Sequence, residues 1–313
     1  MTIQPMALRR ARRGGDRAPR MKLDRKAWSG LAFASPTLVF IIVFFLVPIL
    51  LVLQMAGSDW PLFMGRQGTN LPDNFREAID NRFFWPSVWF TLKYTVVTTV
   101  LLIGLALGIA LLVQESTRWK GFMRTVVLLP SALGLASASL LFYALYSPQS
   151  GPVSPALESL GLISEPISFL GTPNRALIST VFLIVWRYTG FYMLLIMVGL
   201  QGVSADVYEA AELDGASRWQ QFRFVTLPLL RPTLALCTIL CVTGSLLAFD
   251  QFYILTKGGP DNSTITLVQL IYISAFQGRN DLGIAAALSI IVLIALLVFN
   301  GATFRLMRSL EEA

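Results

Sequence analysis

The 313-residue chain contains no histidine. That excludes imidazole general bases, Ser-His-Asp constellations, His-ligated metals and imidazole proton relays. Cysteine is almost as scarce, with Cys237 and Cys241 alone. Both sit inside an apolar run, so they supply neither a disulfide framework nor a paired-Cys metal site. Charged residues make up 14% of the chain, against roughly 25% in soluble proteins. What is abundant is apolar: 55% of residues are hydrophobic and the mean hydropathy is +0.64. This composition excludes disorder and argues against a single soluble domain.

A spanning helix needs roughly 20 apolar residues. Six segments qualify and predict an all-α polytopic membrane protein. They are Leu31–Leu53, Val88–Val113, Thr125–Tyr146, Ala176–Leu200, Thr233–Leu255 and Leu282–Phe304. The first is an uncharged run too long for a signal-peptide core, with no small-residue cleavage site after it, and reads as an uncleaved span. Net charge is +7, unevenly placed: nine of the 25 Lys and Arg lie between Arg9 and Lys26. With the N-terminus inside, inner segments hold 17 Lys and Arg and outer loops six. Six crossings return the C-terminus to the same side, so charge and parity agree on cytoplasmic termini. The expected division is a basic tail over 1–27, a membrane domain over 28–307 and a short tail over 308–313. Between Asn74 and Asp80 an outer loop has room for one short helix. Gly104-x3-Gly108 in the second span reads as a packing motif.

The longest inner loop, residues 201–232, has a pattern. Ser204 is an N-cap and Asp206 sits in the first turn, where the helix dipole favours a carboxylate. Gly215 offers the left-handed conformation that ends a helix. Ser217-x-x-Gln220 is a capping box that starts a second helix at once. Pro228 and Pro232 punctuate the approach to the fifth span. The object is a helix–glycine–helix finger with small residues on one side, suited to docking in a groove.

Two intramembrane clusters carry polar chemistry. Cys237, Cys241, Gly244, Ser245 and Ala248 share one stripe of the fifth span, a pattern that serves either close helix packing or a solute path. On the fourth span Tyr188 and Tyr192 are one turn apart beside Thr189. Such rings suit a polyol, the face covering a sugar's apolar side and the hydroxyl bonding its edge, and they suit interface packing equally. Arg187 and Asp250 are charges inside spans, costing about 2.5–3.5 kcal/mol each at the bilayer centre on insertion scales. They are expected to pair with each other, with substrate contact as the alternative.

Glu209-Ala210-Ala211, three residues, Gly215, nine residues, then Val225-x-Leu227-Pro228 resembles the EAA loop of ABC-importer permeases. The surrounding string from Tyr208 to Pro232 is similar to the carbohydrate-uptake branch that includes maltose permeases. The likeness runs over about 28–307. It includes Gly121-Phe-Met-Arg-Thr125 with Leu129-Pro130, and Leu255-Thr-Lys-Gly-Gly-Pro260 with Tyr272, Ala275-Phe276 and Gly283 to Ser289. A large outer insertion found in some maltose permeases is missing.

The resemblance implies a type I importer fold of six spans in a bacterial inner membrane. It implies a coupling role for Glu209, Ala210, Ala211, Asp214, Gly215, Leu227 and Pro228 at a separate ATPase. The chain has no Gly-x4-Gly-Lys-Ser/Thr phosphate loop, so ATP and Mg would be bound by that partner and this chain would hold no cofactor or metal. The implied partners are a second permease, two ATPase subunits and an extracytoplasmic solute-binding protein, with no nucleic acid. Positions matching sugar contacts are Tyr188, Thr189, Tyr192, Cys241, Gly244, Ser245 and Ala248. Where the family example carries amides, this chain has Leu247 and Ala248. The competing classes are an ion-driven secondary transporter, for which Asp250 is the lone support, and an integral membrane enzyme, which would need clustered titratable groups.

Overall fold

The computed structural model describes residues 25–115, 117–278 and 280–311. Most of the basic tail therefore lies outside the described residues. The described chain is almost wholly helical, its only ladder joining two-residue strands β1 (Ser58–Asp59) and β2 (Gly68–Thr69). Two compact units divide at Leu51 and Val52.

In the first unit, helix α1 (Arg25–Ile41) passes through a π-helical turn at Ile42–Leu46 into the start of α2 (Val47–Ala56), whose residues from Val52 on belong to the second unit. Pro36 sits inside α1 without ending it. The apolar run Ala32–Ala56 is long and apolar enough to cross a membrane.

The second unit carries the rest. Helix α3 (Asp73–Asp80) is the short outer helix expected between Asn74 and Asp80. Its buried Asn74 fixes it: the Nδ2 donates to the Ala56 and Ser58 carbonyls at 3.0 and 2.8 Å, tying α3 to the end of α2. Helix α4 (Phe84–Val113) is the second span. The third span is broken, α5 (Arg118–Leu128) and a 3-10 turn at Leu129–Ala132 meeting α6 (Leu135–Leu145) at 96°. Pro130 and Gly134 mark the break. A short α7 (Val153–Ser159) precedes α8 (Pro173–Gln201), the fourth span, which Pro173 opens at its first position behind the Thr172 cap.

The loop between the fourth and fifth spans folds as α9 (Ala205–Leu213), α10 (Arg218–Gln221), a π turn at Phe222–Thr226 and α11 (Leu227–Leu229). Then α12 (Arg231–Leu246) turns through 64° into the membrane at the two prolines. The expected fifth span, Thr233–Leu255, does not run through. It stops at Leu246 and resumes as α13 (Asp250–Leu255). An unexpected apolar helix follows, α14 (Leu267–Tyr272) with a π turn to Gln277, before α15 (Leu282–Glu311), the last span. Counting each bent pair as one crossing gives six spans by length and composition.

Helix α8 lies at the centre. Its inner half joins α4 and α12 in one core of Leu102, Ala106, Met193, Ile196 and Cys237. Its outer half joins α6 and α13 around Phe142, Val181, Leu183 and Phe252. By contrast, Gly104 and Gly108 are exposed, and among the described residues of the second unit nothing stands within 4 Å of where a side chain would begin. Within that unit the expected packing motif is not used, because the neighbours of α4 take its opposite face.

The inner end of α4 is closed by a single side chain. Arg124, from α5, donates through Nε and Nη2 to the Val113 carbonyl, and through Nη2 to those of Gln114 and Glu115 at 3.0 and 2.9 Å. Those last carbonyls have no helical partner, and a guanidinium fork satisfies them while opposing the negative dipole end. Arg124→Ala is expected to cost about 1–2 kcal/mol locally and to raise protease nicking between Gln114 and Thr117 in membrane vesicles. Arg124→Lys should restore part of the protection. Equal nicking of the alanine variant and the parent would refute the capping role.

Candidate functional site

A cavity lies at the break in the fifth span. Leu247, Ala248 and Phe249 are non-helical between α12 and α13, and irregular backbone at membrane depth is tolerated where it is buried or lines a cavity. The Thr266 hydroxyl donates to the Ala248 carbonyl at 2.7 Å, satisfying one backbone group freed by the break. Beside it lies a cavity of about 290 Å³. Helix α8 contributes Ile184, Tyr188, Phe191 and Tyr192; α12 contributes Leu240, Cys241, Gly244 and Ser245; the break adds Ala248, Phe249, Asp250 and Gln251. Helix α4 supplies Tyr94, Thr98 and Leu102.

Six of the seven expected path residues therefore meet in one wall: Tyr188, Tyr192, Cys241, Gly244, Ser245 and Ala248. Thr189 does not join them. It is buried and its hydroxyl donates back to the Val185 carbonyl of its own helix at 2.5 Å, the usual fate of a threonine facing packed neighbours.

Arg187 and Asp250 do not pair. Arg187 Nε donates to the Leu133 carbonyl at 2.9 Å, and the guanidinium carbon lies 4.2 Å from the Tyr188 ring centre. The broken third span offers that carbonyl because Leu133 lies outside any helix. Among the described residues the ion pairs are Arg76–Asp73 and Lys120–Glu115, both exposed in part. Asp250 is exposed and is the single charged side chain in the cavity wall.

Three polar wall residues went unread in the sequence: Tyr94, Thr98 and Gln251. Gln251 is 2% exposed, its Nε2 donates to the Tyr94 hydroxyl at 3.1 Å, and its Oε1 has no partner among the described residues. A buried amide end without a partner costs about 1–3 kcal/mol unless water or a ligand supplies the bond. The available signal was the spacing of Thr91, Tyr94, Thr95 and Thr98 along an otherwise apolar span. All four are buried, giving α4 a polar outer half and an apolar inner half.

The two-helix finger forms as its local chemistry dictates. Ser204 accepts from the Asp206 amide at 3.3 Å, and Ser217 and Gln220 close the reciprocal capping box at 3.4 and 2.7 Å. Gly215 has φ +77°, and the Gly215 and Ala216 amides bond back to the Glu212 and Ala211 carbonyls at 3.0 and 2.9 Å. An additional bond between the Tyr208 and Thr226 hydroxyls, 3.0 Å long, ties the two halves of the finger together.

Glu209, Ala210, Asp214 and Gly215 are exposed, Ala211, Leu227 and Pro228 half-buried, and Leu213 at the tip is 90% exposed. No ion pair joins Glu209 to Arg218, its expected local partner. Elsewhere, the hydrogen bond from Lys120, then its charge and to a smaller extent that of Arg218, hold the exposed Glu115 carboxyl below its usual range. Any stabilisation from that arrangement is present above the ordinary glutamate range and lost as pH falls through the lowered value, so it is constant near neutrality.

No group of three or more Cys, Asp or Glu side chains among the described residues could hold a metal. The cavity wall offers hydroxyls, an amide, a thiol, a carboxylate and ring faces. That inventory suits reversible binding of a hydroxyl-rich solute.

Comparison with known proteins accords with this geometry. Residues 101–312 match the family described as binding-protein-dependent transport system inner membrane component. The lactose transport system permease protein LacF of Rhizobium radiobacter is 33% identical over 281 residues, covering 87% of this chain and 91% of that protein. The trehalose/maltose transport system permease protein MalF of Thermococcus litoralis is 32% identical over 283 residues, covering 88% and 92%. In fold, the chain superposes with a TM-score of 0.78 and 23% identity on a chain from the crystal structure of a bacterial ABC transporter involved in importing the acidic polysaccharide alginate, covering 90% of this chain and 96% of that one. The protein belongs to the inner-membrane permease family of binding-protein-dependent ABC transport systems.

Proposed function

We propose that this chain is one of two non-identical permeases of an ATP-driven importer, with both termini cytoplasmic, and that its cavity carries a sugar. One observation supports this above the rest. A ring- and hydroxyl-lined cavity opens where the fifth span breaks, and the same span begins at an exposed two-helix finger. Such a connection lets movement at the finger change access to the cavity. The Lys and Arg asymmetry supports the orientation. The finger's exposed tip and carboxylates fit a groove on a separate ATPase that binds ATP and Mg, while this subunit performs no chemistry. The relatives named for lactose and for trehalose/maltose support the solute class, and an extracytoplasmic binding protein would deliver it.

The test is uptake of labelled lactose, trehalose and maltose by proteoliposomes holding the whole complex. Uptake of at least one probe should need internal ATP and stop when the ATPase subunit's phosphate-loop lysine is replaced. Native mass should show this chain once per complex, with one different permease and two ATPases. Uptake driven by an ion gradient without ATP would favour Asp250 as a coupling carboxylate in a secondary transporter. An active homodimer of this chain would overturn the two-permease arrangement.

A further inference from the structure

One wall residue of the cavity belongs to a second feature. Phe249 stacks on Tyr253 at 5.1 Å between ring centres, and both lie near Tyr272, at 5.3 and 5.2 Å. Tyr272 in turn lies 5.4 Å from Phe276. The four rings come from α13, the break before it, and the unexpected helix α14 with its π turn. They differ from the aromatic pairs of the core. Phe252 and Tyr94 meet edge to face at 4.9 Å and are fully buried. Among these four, Phe249, Tyr253 and Tyr272 are half-buried and Phe276 is 54% exposed.

Polar groups flank the rings along this line. Gln277 donates to the Tyr253 hydroxyl at 3.4 Å, and Asp250 follows Phe249 directly. Alternating ring faces and hydrogen-bonding tips match the two faces of a pyranose, whose axial C–H groups rest on a ring while its hydroxyls bond sideways. Phe249, Tyr253 and Tyr272 are mutually 5.1–5.3 Å apart and form one packed cluster, to which Phe276 is joined through Tyr272, so the outward edges of that cluster connect the exposed ring to the cavity.

We propose that Phe276, Tyr272, Tyr253 and Phe249 form an aromatic relay that passes a saccharide from the outer surface to the cavity. The proposal rests on the saccharide reading of the cavity and adds the route to it. Continuity carries the argument, since the relay begins at a ring that lines the cavity and ends at an exposed one. An aromatic belt at the lipid interface would not need to reach the cavity. A contact surface for another subunit would not need its rings to continue inward.

The test uses the complete complex in proteoliposomes, with labelled lactose, trehalose and maltose as probes. Tyr272→Leu and Phe276→Leu keep apolar volume but remove the ring faces. Each is expected to lower uptake of the transported probe roughly tenfold, the effect of losing about one ring contact in the rate-limiting step. ATP hydrolysed per sugar delivered should rise correspondingly. Tyr272→Phe and Phe276→Tyr, which keep the ring, should restore uptake to within about twofold, less than the loss of one ring contact. If the leucine variants match the parent in both uptake and ATP ratio, the relay is refuted. Loss of co-purification with the partner chains would likewise refute it, making the rings a subunit interface. If the parent complex transports none of the three probes, the saccharide reading falls, and the relay falls with it.

Discussion

Gly190→Val is expected to prevent the subunit from accumulating in the membrane, and Gly190→Ala to destabilise it measurably. Gly190 lies in the middle of α8, where alanine would ordinarily gain about 1 kcal/mol of helix propensity. Here crowding reverses the sign. A methyl at this position would fall on the Val127 carbonyl oxygen and within 2.5 Å of the Leu128 α-carbon. Both are backbone atoms of the broken third span, next to its 3-10 turn, and no rotamer change moves them aside. Overpacking of this kind costs about 1–3 kcal/mol, more when backbone must shift. The contact also anchors the Leu133 turn against which Arg187 is bound, so a displaced third span would release that arginine. Thermal unfolding in detergent, with expression level, is the measurement. Gly104→Ala is the internal control, since nothing stands near its side-chain position and it should be neutral or slightly stabilising. If Gly190→Ala melts as high as Gly104→Ala, the close approach of the two spans is not holding the fold.

What was legible in the sequence and what was not divides along a physical line. The finger was legible to the residue, because caps, capping boxes and left-handed glycines are local chemistry: Ser204, Gly215, Ser217 and Gln220 each do what their neighbours in sequence require. The spans were legible because twenty apolar residues have few alternatives. The break at Leu247–Phe249 was not legible, for it contains neither glycine nor proline. It depends on Thr266 reaching back to the Ala248 carbonyl and on Gln251 finding Tyr94, contacts 18 and 157 residues apart. The expected Arg187–Asp250 pair failed for a related reason. Charge signs can be read from sequence, but the carbonyl that Leu133 offers exists only because another span is broken. Thr189 lies outside the cavity wall because its hydroxyl is satisfied by the Val185 carbonyl of its own helix, a choice that spacing beside Tyr188 and Tyr192 does not reveal. The helix after Thr266 escaped notice because it is apolar yet too short to span, and its register is set by packing on α15 and on Ala56, Phe84 and Ile284.

At the other end of the subunit, Gly215→Val should uncouple transport while leaving the membrane domain intact. The reason is the opposite of that at Gly190. Nothing among the described residues lies within 4 Å of a side chain at this position, so space is not the obstacle. The obstacle is φ +77°, which for an L-residue costs about 1–2 kcal/mol and more for a β-branched one. That conformation lets the Gly215 and Ala216 amides turn back onto the Glu212 and Ala211 carbonyls and so sets the angle between α9 and the Ser217-capped helix. Valine would re-aim the exposed tip, including Leu213 and Asp214, which the proposed function places against the ATPase. Asparagine tolerates the left-handed region far better and is the diagnostic partner. In proteoliposomes, Gly215→Asn should retain most sugar-dependent ATP hydrolysis and uptake, whereas Gly215→Val should lose on the order of tenfold or more in uptake, as a 1–2 kcal/mol displacement of the docked conformation requires. Co-purification and span insertion should be unchanged in the asparagine variant. If asparagine fails as completely as valine, the finger is sensitive to surface contact at Gly215 rather than to its backbone. If valine transports normally, the angle of the finger does not carry the coupling.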